Sequence, residues 1–587
     1  MLLALLVVGL GYTLHRCATL GVEYYDAYVY LNNASWMTGT DTVDYDVLRP
    51  PLLSLAQAPV VAVARAAGPA NRWLLLGPHL ESGVLTLLTV LAVFLLLRAS
   101  CGRLPALLGA VLFVGTRYVV RYGAHVMADV PLAGLTAAAV ALVCRAHQER
   151  RLGLYALAGV ALGAAITMKY GAALLVPTLV VAELLLSVHR AGTGRYRSSL
   201  DGRRAAGLAL TLAVGAALFA ALHAALYRAL YPHEPWTQFV TAMTSAKSVV
   251  ERMPGESWTD HGAMAMVMLS PPLLLLVVLG LALAVLRPEP RDAPFFAWLA
   301  VMGGGLVFLV GHNEARYLLP VVPAAIYFAL RATTEVARRL AESPRPALRR
   351  AGRVALAGFL ALCLSGGVRQ AWEDADPFFA NDVQRRAAAA LAGAARGQGR
   401  LFVLGQRHTL FPPTRGPVPE DEYWNTFHYD PGIAAYFLGR RLNTLSTRND
   451  SAWNLRGALG ILAVDGDAVL RLEDRFYTTR TLPTGRPHPF EVWSIRRADL
   501  LPAPGDRFVS MDGSLTGTVH DDAGGLTFVP DRTLGELWLF AKRAPAGQTE
   551  FLASVRLQAD TPAVVPAASA RDIAALTLLR VDSRLVE

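Results

Sequence analysis

Residues 21–53 read GVEYYDAYVYLNNASWMTGTDTVDYDVLRPPLL and stand between two apolar runs. The stretch holds an acid, Asp26, among aromatic residues, and a cation, Arg49, just before two prolines. A residue preceding proline is pushed toward extended backbone, so the Arg49 side chain leaves the chain from a stiff turn. A guanidinium held that way suits a two-pronged grip on phosphate, although an interfacial arginine also snorkels to water without further purpose. Asp26 is placed either to act as a general base at the lipid–water boundary or to cap a helix starting at Ala27.

Outward from this stretch the composition belongs to a bilayer. The chain has 587 residues, 54% hydrophobic and 17% charged, with mean hydropathy +0.37. A soluble domain carries roughly one quarter charged residues. The formal charge of +10 is mostly arginine in short loops between apolar runs. Membrane topology explains that pattern better than a nucleic-acid partner does. Cys17, Cys101, Cys144 and Cys363 all lie in or beside apolar runs, so the polar last third has neither a disulfide framework nor a CxxC metal site.

Segments of spanning length are expected at 79–97, 104–121, 127–144, 152–168, 170–188, 205–227, 264–286, 294–311, 317–335 and 354–370. With the opening run Met1–Leu14 they make about eleven spans. The opening run covers roughly 21 Å as a helix against a core of about 30 Å. His15 and Arg16 must therefore snorkel or turn inward, or the chain extends further upstream. Arginines gather in alternate loops, from Arg98 and Arg103 to Arg338, Arg339, Arg345, Arg349, Arg350 and Arg353. The positive-inside rule then expects a cytoplasmic N-terminus.

On that topology the ionisable residues that interrupt apolar surroundings share the outer side. They are Asp26, Arg49, Arg117, Arg121, His125, Asp129, Lys169, His312, Glu314 and Arg316. Such groups are costly at membrane depth and tend to line a polar cavity, while any one of them taken singly reads equally well as an interfacial side chain. The inner half reads as nearly free of charge.

The order of motifs is more specific than any one of them. Asp26-x-x-x-Tyr30 precedes Arg49-Pro-Pro-Leu, then Met127-Ala-Asp-Val-Pro-Leu, then Met168-Lys-Tyr, then Glu314-Ala-Arg-Tyr-Leu-Leu-Pro-x-x-Pro323. This set resembles the GT-C glycosyltransferases over roughly residues 1–370. The nearest branches in pattern are the protein O-mannosyltransferase-like (dolichyl-phosphate-mannose-protein mannosyltransferase) and lipid A aminoarabinose transferase-like ones. The resemblance implies the GT-C fold and transfer of a sugar from a polyprenyl-phosphate donor to an acceptor hydroxyl on a lipid, glycan or protein at the outer face. It implies Asp26 as the catalytic acid position and Arg49 as a donor-phosphate cation. Ala27 departs from the pattern, where Glu is common, and leaves Asp26 without a neighbouring acid; Glu23 is the nearest substitute.

By charge, Lys169 and Arg316 join Arg49 as donor-phosphate ligands. Tyr30, His125, Asp129, Tyr170, His312, Glu314 and Tyr317 are further site candidates. One-step displacement would invert the anomeric carbon, and nothing resembles the paired carboxylates of a retaining hydrolase. With phosphate-binding cations and no His/Cys cluster of metal-ligand spacing, no cofactor is expected and the reaction reads as metal-independent, with a divalent cation left open. The rival readings are a transporter or flippase of a lipid-linked saccharide, and a glycan polymerase or ligase.

The expected organisation is a polytopic α-helical membrane domain at 1–370, with a first outer loop at 22–77. A mixed α/β region at 371–498 and a β-rich region at 499–587 follow, both extracytoplasmic. Leu401–Leu404 and Ile461–Val464 read as strands, Val383–Ala395 and Gly432–Arg440 as helices, and Glu536–Lys542 and Phe551–Leu557 alternate as strands do. The expected location is a bacterial-type inner or plasma membrane.

Overall fold

The computed structural model describes residues 1–190, 196–198, 202–230, 260–309 and 314–375, apart from 22 and 44. It also describes residues 237, 240, 385, 431–440, 531–533 and 558–562, and the strand segments given below. The expected helix Val383–Ala395, apart from Arg385, and the site candidate His312 lie outside the described residues.

The chain enters through α1 (Leu2–Thr19) and then makes two helices beside the bundle, α2 (Tyr25–Met37) and α3 (Pro51–Ala66). Pro51 opens α3 because proline lacks only an amide proton that the first turn does not use. The helices α4 (Trp73–Cys101), α5 (Arg103–Val114), α6 (Arg117–Tyr122), α7 (Asp129–Glu149) and α8 (Leu152–Met168) follow. A 3-10 turn at Tyr170–Leu174 leads into α9 (Leu175–Ser187), and α10 covers Gly202–Leu230. The later membrane helices are Asp260–Leu269, Pro271–Leu286, Val322–Glu342, Pro346–Cys363 and Ser365–Asp374.

Among the described residues, seven helical stretches are long and apolar enough to cross a membrane, or eight if one bent pair is a single span. The other expected spans are shortened or broken by identifiable local causes. Segment 104–121 stops at Val114 and resumes at Arg117, and Gly115 sits in the break. Segment 264–286 turns by 107° at Ser270, which precedes Pro271 and Pro272 and takes a left-handed φ of 63°. Segment 294–311 carries a π turn at Trp298–Gly303 and ends at Phe308. The expected span at 152–168 is α8, a shorter apolar helix of 17 residues.

Small residues let the helices close on one another. A Cβ on Gly159 would lie 2.5 Å from the Thr211 carbonyl oxygen, and one on Gly163 would lie 2.7 Å from that of Gly215. The α8–α10 crossing is therefore a backbone-to-backbone contact of the small-xxx-small kind, which dispersion alone can stabilise in lipid. Arg16 does turn inward: its Nη1 donates to the Asp374 carbonyl at 2.8 Å.

In the C-terminal part the described strands form antiparallel sheets. Phe402–Gly405, Ile461–Asp465 and Ala468–Arg471 make one of three strands. Gln548–Leu557, Gly535–Arg543, Ile573–Val581 and Phe490–Arg496 make another in that order. Phe490–Arg496, from the region expected to be mixed α/β, thus pairs with Ile573–Val581. A third sheet joins Ala563–Pro566, Gly525–Pro530, Thr516–Asp522 and Arg507–Val509. The expected helix near 432–440 is Pro431–Leu438. It docks on the first loop: the Tyr436 hydroxyl donates to the Leu74 carbonyl at 2.6 Å, and Arg65 donates to the Tyr436 carbonyl at 2.8 Å.

Candidate active site

The backbone settles the first ambiguity about Asp26. Helix α2 starts at Tyr25 from an extended Tyr24 and has no side-chain cap. Asp26 therefore lies inside the first turn with its carboxylate free for other partners. Oδ1 accepts a hydrogen bond from Arg49 Nη2 at 2.6 Å, and Oδ2 accepts one from Arg316 Nη2, also at 2.6 Å. Arg316 Nε donates in turn to Glu314, which precedes the 3-10 turn Ala315–Val321 in extended conformation. Burial would raise the Asp26 carboxyl, but the guanidiniums of Arg49 and Arg316 outweigh it and hold the group below its ordinary value.

A second ion pair stands beside the first. Asp129 opens α7, again without capping it, and accepts from Lys169 Nζ at 2.6 Å. Lys169 can reach because α8 ends at Met168 and the lysine itself is extended, with φ −158° and ψ 126°. Its ammonium sits 3.9 Å from the centre of the Tyr317 ring, a cation–π distance. Tyr30 is buried, with the Arg49 guanidinium 5.9 Å from its ring centre.

Tyr170 closes one side. His223 Nδ1 donates to the Phe219 carbonyl at 2.9 Å, which leaves Nε2 to accept the Tyr170 hydroxyl proton at 3.1 Å. The same hydroxyl approaches the Val47 carbonyl at 3.3 Å, tying α10 to the first loop. Thus Asp26, Arg49, Asp129, Lys169, Glu314, Arg316, Tyr30 and Tyr317, drawn from separate motifs, form one cluster of linked contacts, while the contacts of Tyr170 described above go to His223 and Val47.

His125 does not join it. Its Nδ1 donates to Glu23 at 3.0 Å, and His79 Nε2 reaches the same carboxylate at 2.7 Å. Glu23 is therefore engaged elsewhere and does not act as the second acid beside Asp26. Arg121 goes to the Tyr24 hydroxyl at 2.9 Å, while Arg117 holds Gln370 at 3.0 Å and Glu373 at 3.1 Å on the closing helix. These two arginines join helices and do not enter the Asp26 cluster.

The end of the bundle opposite Asp129 is not free of charge, contrary to the sequence reading. His147 and the fully buried Glu183 pair at 2.7 Å. Asp292 accepts from the Tyr327 hydroxyl at 2.6 Å and pairs with Arg331 at 3.2 Å. His79, Glu183 and His223 share one signal that the sequence did carry, an ionisable side chain inside an apolar helix. Their partners are what the sequence conceals.

Burial would raise the Glu23 carboxyl, but the imidazoles of His125 and His79 directed at it lower it to about 2, against an ordinary 4.5. A depressed carboxyl stabilises the fold above its unfolded value and loses that contribution as pH falls through the folded one. We therefore expect thermal stability in detergent to decline between about pH 4.5 and pH 2, and Glu23→Gln to flatten that decline. An unchanged acid profile in the variant would refute the assignment.

Among the described residues, no three His, Cys, Asp or Glu side chains come together as metal ligands would. The acids of the Asp26 cluster face guanidinium and ammonium groups instead.

Residues 76–214 match the family described as dolichyl-phosphate-mannose-protein mannosyltransferase. No curated protein matches the chain in sequence. Among solved structures, ArnT from Cupriavidus metallidurans bound to undecaprenyl phosphate is similar at 14% identity and a TM-score of 0.51, covering 76% of this chain and 86% of that one. The Archaeoglobus fulgidus oligosaccharyltransferase tethered to an acceptor peptide follows at 13% identity and TM-score 0.47, covering 75% and 63%. Arabinosyltransferase EmbB from Mycobacterium smegmatis follows at 11% and 0.43, covering 98% and 62%. The fold comparison rests on the first of these. The chain is an integral membrane protein of the GT-C fold.

Proposed function

We propose that this protein moves a sugar from a polyprenyl-phosphate carrier to an acceptor hydroxyl at the outer face of the membrane, with inversion. One observation carries the reading: a buried carboxylate, Asp26, is held between two guanidiniums in a bundle of apolar helices, with a second, lysine–aspartate ion pair beside them. An apolar cavity of about 520 Å³ supports the lipid part of the donor. Its lining includes Met268, Val277, Leu318 and Val321, and Leu318 and Val321 share the 3-10 turn that carries Arg316. The cations suit the phosphate and the cavity suits the isoprenoid chain. ArnT, the structure of similar fold, was solved with undecaprenyl phosphate, which agrees with such a donor.

In the reaction the acceptor oxygen attacks the anomeric carbon as Asp26 takes or orients its proton. The new C–O bond forms as the bond to the phosphate oxygen breaks, and the electron pair leaves with the polyprenyl phosphate. Arg49, Lys169 and Arg316 meet that developing charge. A phosphate that engages Arg49 and Arg316 also competes with Asp26 for them. Their hold on the carboxylate then loosens and its basicity rises, so donor engagement prepares the base. The cations supply the charge stabilisation themselves, and a chelator is expected to leave the rate unchanged.

The test is transfer by the purified protein from a polyprenyl-phosphate sugar in detergent or liposomes. Product with an inverted anomeric centre supports the reading. A lipid-linked saccharide that crosses the bilayer chemically unchanged would replace it with transport, a reading to which the buried His147–Glu183 pair lends some support. The arginine-rich loops support a cytoplasmic N-terminus and an extracytoplasmic C-terminal part in a bacterial-type inner membrane. Reporters fused to the C-terminus test that placement.

A further inference from the structure

One buried carboxylate that the mechanism does not use joins the elements carrying the site. Glu23 is 1% exposed and lies three residues before Asp26. It accepts from His79 on α4 at 2.7 Å, from His125 in the α6–α7 connection at 3.0 Å, and from the Tyr24 amide at 3.2 Å. His79 Nδ1 is buried without a hydrogen-bond partner, which fits the tautomer whose single N–H, at Nε2, points at Glu23. The Tyr24 ring packs 4.5 Å from the His125 ring and its hydroxyl accepts from Arg121, so the lead-in to α2 is held from two directions.

The other end of this connection reaches the cluster. The Met127 amide donates to the His125 carbonyl at 2.8 Å, and Met127 Sδ lies 3.8 Å from Arg316 Nη1. Two residues on, Asp129 holds Lys169. A single carboxylate thus pins both the segment that leads into Asp26 and the segment that carries the contacts to Arg316 and Lys169.

We propose that Glu23, His79 and His125 act as a positioning clamp that sets Asp26 against the cations of the site, an inference that rests on the transfer reading above. The three residues touch neither donor nor acceptor. They fix where the touching residues stand, and a displacement near 1 Å at a reacting centre is enough to cost about 10²-fold in rate. A clamp of this kind acts on kcat, because it aligns the base and the cations in the transition state, and leaves donor binding nearly unchanged.

Four variants and two readouts test it. His125→Leu and Glu23→Ala break the clamp. His125→Asn keeps a donor at the Nδ1 position, and His79→Gln keeps one at Nε2. We expect the first pair to lower kcat about 10- to 100-fold with the donor KM within about twofold, and the second pair to retain most of the rate. Hydrogen–deuterium exchange should rise at residues 24–30 and 124–130 together in the first pair, and stay at the wild-type level in the second. Wild-type exchange at both segments in a folded Glu23→Ala or His125→Leu would overturn the clamp, as would equal loss of rate in His125→Leu and His125→Asn. If the wild-type protein transfers no sugar, the functional reading fails, and the exchange measurement alone still decides whether the clamp exists.

Discussion

Asp26→Asn is expected to lower the proposed sugar transfer by about 10²–10⁴, the range that a positioned general base contributes. The variant stays folded for a physical reason. The asparagine carbonyl still accepts one guanidinium hydrogen bond, and Arg316 keeps Glu314. Removing the negative charge also leaves Arg49 and Arg316 free of their competitor. Polyprenyl phosphate is then bound as tightly as by the wild type, or more tightly. Loss of turnover with donor binding kept is the signature of a base, and loss of both would mark a collapsed site. A variant with full activity would remove Asp26 from the mechanism. Gel filtration and thermal unfolding in detergent provide the folding control.

Arg49→Ala acts on the other partner. Its side chain is 30% exposed, so truncation leaves a wet gap and no buried cavity. Loss of one group that meets developing charge costs about 10²–10³ in kcat, and the donor KM rises as well because the same guanidinium grips the ground-state phosphate. Arg49→Lys recovers only part, since an ammonium cannot reproduce a two-pronged contact. The pH profile supplies a separate sign. Arg49 is one of the two cations that hold the Asp26 carboxyl down, so its removal lets that carboxyl rise. The base must be ionised to work, and the acid limb of kcat/KM therefore moves to higher pH in Arg49→Ala. Unchanged donor affinity together with an unmoved acid limb would end the phosphate assignment.

The two predictions pull on one ion pair from opposite ends, and they differ in what survives. Asp26→Asn keeps the donor and loses chemistry, whereas Arg49→Ala weakens both. A purely structural pair would show neither pattern, because its loss lowers stability without separating donor binding from turnover.

Much of the candidate site could be read from residue order. Asp26, Arg49, Asp129, Lys169, Glu314 and Arg316 each interrupt apolar sequence, and that interruption is a local property. What the sequence could not tell was the pairing. His125 looked equivalent to Asp129, four residues away, yet it turns to Glu23 while Asp129 turns to Lys169. Glu23 looked like a spare acid for Asp26, and the two histidines that occupy it sit 56 and 102 residues downstream. Asp26 suited a helix cap on sequence grounds, and only the backbone shows its helix starting from Tyr24, two residues earlier.

Taken alone, the sequence determined that this chain belongs in a bilayer and roughly where its apolar segments lie, because hydropathy is a sum over neighbours in the chain, but not that several of those segments are shortened or bent. It also carries, in order along the chain, the charged residues that meet in the candidate site. Tertiary structure decided which charges meet. Asp26 takes one partner 23 residues away and another 290 residues away, and no local sum contains that information. Burying a carboxylate is costly unless cations are brought to it, so the packing of the bundle, which alone sets those distances, selects Arg49 and Arg316 from among the chain's many arginines.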